Sequence, residues 1–104
     1  MMRITFERSG GFMGRTTSLT LDLDNLPADQ AETLRRLLDE ADFLSLAENT
    51  VSRLAPDEFN YTITVEMDTV RHSVRTSDTS APESLRPLLR ELAERARPRP
   101  RRAA

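Results

Sequence analysis

The sequence predicts an α+β fold: one antiparallel four-stranded sheet, made of two hairpins, with two main helices in the order ββ-α-ββ-α. Three observations lead there. Two pairs of segments alternate apolar and polar residues, and a short turn-forming link joins each pair. Two further segments carry apolar stripes at helical spacing. The chain has 104 residues, 38% of them apolar and 31% charged, which fits one domain with a modest core and is too short for two.

Residues 2–8 alternate, with Met2, Ile4 and Phe6 on one side and Arg3, Thr5 and Glu7 on the other. Residues 16–23 repeat the pattern with Leu19, Leu21 and Leu23. All three glycines of the chain lie between them, in Ser9-Gly10-Gly11-Phe12-Met13-Gly14-Arg15. Glycine supplies the positive φ that hairpin connections need. Residues 2–23 therefore read as a hairpin.

Pro27 opens a helix that runs to about Ala41, because its missing N–H would be unbonded in a first turn anyway. Leu34, Leu37, Leu38 and Ala41 form its apolar stripe. Glu32 with Arg36, Arg35 with Asp39 and Arg36 with Glu40 are spaced as i,i+4 pairs on the wet side, worth about 0.3–0.5 kcal/mol each. Residues 42–46 read as a short turn that pins Phe43, Leu44 or Leu46 to the core. Residues 47–57 carry few apolar side chains and read as a loop.

Residues 58–68 give the clearest strand, with Phe59, Tyr61, Ile63, Val65 and Met67 on one face. Asp68-Thr69 is a tight turn, and Val70, His72, Val74 and Thr76 follow in phase. Pro82 and Pro87 cannot both sit early in one helix, since an interior proline costs about 3 kcal/mol. A short turn at 82–85 followed by a helix to 97 resolves this. Leu85, Leu88, Leu89, Leu92 and Ala96 are its stripe. Arg97-Pro98-Arg99-Pro100 ends the helix, so the domain spans 1–97 and residues 98–104 form a basic tail expected to be disordered.

The chemistry that the chain can support is narrow. It has no cysteine, hence neither disulfides nor thiolate chemistry. His72 is its only histidine, and a metal site needs several converging ligands. No cofactor or metal is expected, and no nucleophile–base pair is recognisable. The carboxylate pairs Asp57/Glu58 and Glu66/Asp68 lie near hairpin ends, where solvated charge is the simplest reading. No phosphate-binding glycine motif occurs. The N-terminus lacks the apolar run of a signal peptide, and no segment approaches a membrane span of roughly 20 residues. The default location is the cytoplasm.

Residues 95–104 hold five arginines and no acid, so residues 1–94 carry a net charge of −7 out of a total of −2. An acidic body argues against broad nucleic-acid binding. What remains is a protein that binds another protein. Two apolar loop features stand out: Phe12-Met13, and Leu26 between Asn25 and Pro27. The residue before a proline is driven into extended backbone.

Several short motifs carry a family resemblance. They are the first strand running into Glu7-Arg8-Ser9-Gly10-Gly11-Phe12-Met13-Gly14, Leu26-Pro27 leading to a helix that ends Ala41-Asp42-Phe43, Phe59-Asn60-Tyr61-Thr62-Ile63-Thr64-Val65, and Pro82-Glu83-Ser84-Leu85-Arg86-Pro87-Leu88-Leu89. In order and spacing, over most of residues 2–96, they resemble the emfourin family. The resemblance implies a proteinaceous inhibitor of a thermolysin-like M4 metallopeptidase and not an enzyme. It also implies that the partner is that peptidase. No nucleic-acid or membrane partner is expected, and the chain is expected to act as a monomer. Such a peptidase accepts a large apolar side chain after the scissile bond. On that footing the candidate contact residues are Asn25, Leu26 and Pro27, with Gly11, Phe12 and Met13 as the second candidate loop. A small non-enzymatic adaptor module is the alternative, and a regulator whose arginine tail touches nucleic acid or anionic surfaces is a weaker third.

Overall fold

The computed structural model describes residues 2–10, 16–51 and 58–96. Within them β1 (Met2–Gly10), β2 (Thr17–Asp22), α1 (Ala28–Glu40), β3 (Phe59–Met67), β4 (Val70–Ser77) and α2 (Arg86–Ala96) follow one another in the expected order. Short 3-10 turns at Leu23–Asn25, Phe43–Ser45 and Glu83–Leu85 join them.

The sheet order is β2-β1-β3-β4, with every pair antiparallel. β1 and β3 zip the two hairpins together over nine register positions, from Met2↔Met67 to Gly10↔Phe59. The alternation in the sequence assigns the faces. Ile4, Phe6, Ile63, Val65 and Val74 point inward and are essentially buried. The opposite face meets water. One of its rows crosses all four strands as Asp22, Arg3, Glu66 and Arg71, alternating in sign. The row Thr20, Thr5, Thr64 and Ser73 is hydroxylic, and the Thr64 and Ser73 hydroxyls are 2.8 Å apart. Opposite charges and hydroxyl pairs facing across strands each favour this register modestly.

The β3–β4 turn holds Asp68 at φ 26°, a region that Asp tolerates better than most residues. Gly10 has φ 92°, and a Cβ there would lie 2.8 Å from the Glu58 carbonyl oxygen. Only glycine fits that close approach of β1 to the start of β3.

Both helices cover the inner face. Ala31, Leu34 and Leu38 of α1 are buried, as are Leu88, Leu89 and Leu92 of α2. Leu85 is buried from the turn before α2. Pro87 is the second residue of α2, where no internal N–H bond is yet due, so the two-proline arrangement is accommodated as the sequence requires. Arg95 ties the helices together: its Nη1 donates to Gln30 Oε1 at 3.0 Å and its Nε to Glu91 Oε2 at 2.7 Å. Phe43 enters the core from the 42–46 segment and Leu46 packs partly against it, while Leu44 faces out.

Three expectations need correction. Leu23 is not part of β2; it turns inward as the first residue of a 3-10 turn. The segment after Leu46 is not simply a loop. Asn49 bridges to Arg75 in parallel, the Arg75 N–H donates to Glu48 O at 2.7 Å and the Thr50 N–H to Arg75 O at 2.8 Å. This covers part of the outer edge of β4, and edges left open invite pairing. Finally, the three i,i+4 pairs expected on α1 do not close, whereas Arg95 with Glu91 on α2 does. An exposed pair contributes too little to hold two long side chains in one geometry. The proposed boundary at 97 and the basic tail 98–104 lie outside the described residues.

Candidate functional site

Asp22 organises the segment after β2. Its Oδ1 accepts the Asp24 N–H at 3.0 Å and its Oδ2 accepts from Asn25 Nδ2 at 3.3 Å. A short carboxylate bonding to the backbone two residues on is the usual way to start such a turn. Leu23 is buried beneath, 1% exposed, and fixes the turn to the core. The Leu26 N–H then donates to Leu23 O at 3.3 Å.

Leu26 itself is extended, at φ −88° and ψ 155°, as a residue before proline should be. Pro27 continues extended at φ −53° and ψ 145° and caps α1: its carbonyl accepts from Gln30 N and Ala31 N, both at 3.0 Å. The Asn25-Leu26-Pro27 segment is therefore anchored on one side by the Asp22 turn and on the other by the first turn of a thirteen-residue helix. Asn25 and Pro27 are exposed. Leu26 is half-buried, with part of its side chain packed on the core, so it both caps the core and presents apolar surface.

Gly11, Phe12 and Met13 lie outside the described residues. The strand ends that flank them do bear on the question. Gly10 and Thr17 are at the opposite end of the sheet from Asp22 and Leu26. The nine residues of β1, at about 3.3 Å each, separate those ends by roughly 26 Å.

The remaining polar groups are structural. His72 Nε2 lies 2.8 Å from Leu46 O, and its ring meets Phe43 edge-on at 5.6 Å. It fastens the 43–46 segment to β4. Glu58 departs from the solvated charge expected of it, being only 9% exposed. Its carboxylate accepts from the Thr79 hydroxyl at 2.5 Å and from the Thr79 N–H. These bonds, led by the hydroxyl, hold its carboxyl below the ordinary value. Asp78 next door accepts from the Tyr61 hydroxyl at 2.5 Å and from Phe59 N at 3.0 Å. Burial, then the bond to Asp78, pushes the Tyr61 phenol well above its ordinary range. Together these bonds clamp residues 78–79 over the start of β3. Among the described residues no group of three or more His, Asp or Glu side chains converges as metal ligands would.

Two features of the surface escaped the sequence reading. Leu44 is 48% exposed and Val70 45%. Val70 carries a strand phase that belongs to the core side, and Leu44 was one of three residues expected to pin the 42–46 turn to the core; both are instead exposed. The role of Asp22 was legible in principle, since Asp-x-Asp-Asn is a turn-forming string.

A search of curated proteins returns no match. Among solved structures the chain is similar to emfourin (M4in) from Serratia proteamaculans, an M4 family peptidase inhibitor, with 22% identity over 84% of each chain and a TM-score of 0.43. The Emfourin family model matches residues 6–93. That span runs from within β1 to within α2 and includes the Asp22–Pro27 segment. By this match over most of its length, the chain belongs to the emfourin family.

Proposed function

We propose that this chain inhibits a thermolysin-like M4 metallopeptidase by laying Asn25-Leu26-Pro27 in its active-site cleft. Emfourin is a family of inhibitors and not of enzymes. The observation that carries the residue-level reading is the extended Leu26-Pro27 pair, held between a closed turn and a helix cap. A cleft that binds extended peptides and prefers a large apolar side chain after the scissile bond takes Leu26 as a substrate residue. Pro27 then follows with fixed φ and no N–H to donate to the enzyme, which disfavours turnover. A loop already ordered by the body of the inhibitor loses little entropy on docking. No metal is needed from the inhibitor, since the peptidase supplies its own. In this reading the inhibitor is a cytoplasmic monomer that meets one peptidase through one end of its sheet.

Leu26→Ala and Phe12→Ala, each titrated against an M4 peptidase, test the contact. Loss of potency in Leu26→Ala alone is the expected result. Loss in Phe12→Ala alone would move the contact to the second candidate loop, and no loss in either would remove both loops from the interface.

A further inference from the structure

The charges of this chain are segregated. Residues 1–85 carry eight Arg against fifteen Asp and Glu, and residues 86–104 carry seven Arg against two Glu. The net charges are therefore −7 and +5, and the sign changes at the first residue of α2. Charge divided in this way makes a dipole that orients a molecule before contact.

Folding does not account for the cations of α2. Arg86 stands at the N-terminus of the helix, where the helix dipole disfavours a positive charge. Arg90 follows at i+4, and like charges at that spacing repel. Both are exposed, and among the described residues neither forms an ion pair. They line one cavity of about 190 Å³ together with Asp78. That carboxylate already accepts from the Tyr61 hydroxyl and the Phe59 N–H. Each guanidinium keeps a planar fork of donors that suits a carboxylate.

The same helix carries the charge to the proposed contact. Arg95 Nη1 donates to Gln30 Oε1 at 3.0 Å, and the Gln30 N–H donates to Pro27 O at 3.0 Å. The C-terminal turn of α2 is thus one side chain away from the Leu26-Pro27 pair. Arg90 lies five residues before Arg95, about 7.5 Å along the helix. Residues 97–104, with four Arg and no acid, continue the chain from that end of α2.

We infer that α2 and the arginine-rich segment after it form a cationic flank that meets carboxylates on the peptidase beside its cleft. The inference rests on the inhibitor reading above. It gives Arg86 and Arg90 the partners that the fold withholds. Complementarity of this kind raises the association rate more than the affinity. A protein surface fits better than nucleic acid. An extended polyphosphate would also run against the body, whose net charge is −7, whereas a local group of carboxylates faces the flank alone.

The test follows association and dissociation with one thermolysin-like peptidase by inhibition progress curves, at low and at high salt. The parent chain is compared with Arg86→Gln/Arg90→Gln and with Arg97→Ser/Arg99→Ser/Arg101→Ser/Arg102→Ser. Arg36→Gln/Arg71→Gln, which removes two exposed charges elsewhere on the body, is the control, and thermal unfolding is run on all four proteins. At low salt both flank variants should associate at least about threefold more slowly than the parent, with dissociation and the control little changed, and the difference should shrink at high salt. Parental association rates and salt dependence in both flank variants would overturn the flank while leaving the inhibitor reading intact. So would an equal slowing in the control, since net charge alone would then account for it. A parent chain that inhibits no M4 peptidase would overturn both. Binding of a short DNA duplex that either flank variant abolishes would assign the flank to nucleic acid and overturn the peptidase contact.

Discussion

The Leu26 amide donates to the Leu23 carbonyl at 3.3 Å, so the residue proposed to enter the peptidase is tied to one that is 1% exposed. The proposed contact segment is therefore part of the folded body. Its geometry is set by a buried leucine on one side and by the first turn of α1 on the other, and proline fixes the exit.

Asp22 should matter for potency more than for folding. Its two oxygens hold Asp24 and Asn25, and removing such a cap costs about 0.5–2 kcal/mol. Asp22→Ala is expected to keep the fold and weaken inhibition several-fold, through a loop that must be ordered on binding. Inhibitor titration alongside circular dichroism checks this. Unchanged potency with a folded variant would show that the turn does not preorganise the contact.

Gly10→Ala is expected to destabilise the chain by about 1–3 kcal/mol. The new Cβ would meet the Glu58 carbonyl oxygen at 2.8 Å, from a backbone at φ 92°. Denaturant unfolding reads it directly. A stability equal to that of the parent would contradict the close approach of β1 and β3 at that end.

Glu58 sets an acid limit. Its carboxyl lies below its ordinary value of 4.5 because Thr79 bonds to the charged form. The folded state thus binds this proton less readily than the unfolded state. The stabilisation is present above pH 4.5 and is lost as the pH falls through the lower, folded value. Glu58→Gln should show a shallower decline in stability on acidification than the parent, and an identical acid limb would remove Glu58 as a contributor.

Tyr61 acts at the other extreme. It is the only tyrosine, and its phenol is raised by burial and by donation to Asp78. The unfolded chain ionises near pH 10 while the folded chain does not, so stability is complete below pH 10 and falls as the pH rises further. Phenolate absorbance should rise only with unfolding. Tyr61→Phe should lose about 1.5–3 kcal/mol at neutral pH, the range for a hydrogen bond to a charged acceptor, and should lose the tyrosine-linked alkaline decline. A phenol titrating near pH 10 in the folded protein would contradict the Tyr61–Asp78 bond.

The legible parts of the fold were those where one periodicity governs many residues. Ile4 and Phe6, Ile63 and Val65, and Leu34 and Leu38 declare their faces by spacing alone, and Pro82 with Pro87 dictates a turn before α2. Other features depend on contacts distant in sequence. Thr50 donates to Thr76 across 26 residues at 2.7 Å, and Glu58 reaches Thr79 across 21. No local pattern encodes such pairs. Val70 shows the limit of periodicity, since its phase is that of the core while its neighbours leave it open. For the candidate site, the extended state of Leu26 followed from Pro27, whereas the half-burial of Leu26 and the exposure of Leu44 and Val70 required three dimensions.

The central claim is inhibition itself. Residual activity of a thermolysin-like M4 peptidase is measured against rising concentrations of the intact chain at fixed peptide substrate, and again at higher substrate. The predicted result is saturable inhibition that weakens as substrate rises and that Leu26→Ala shifts to at least tenfold higher concentration. Full peptidase activity at large molar excess of the folded chain, across several M4 enzymes, would contradict the account.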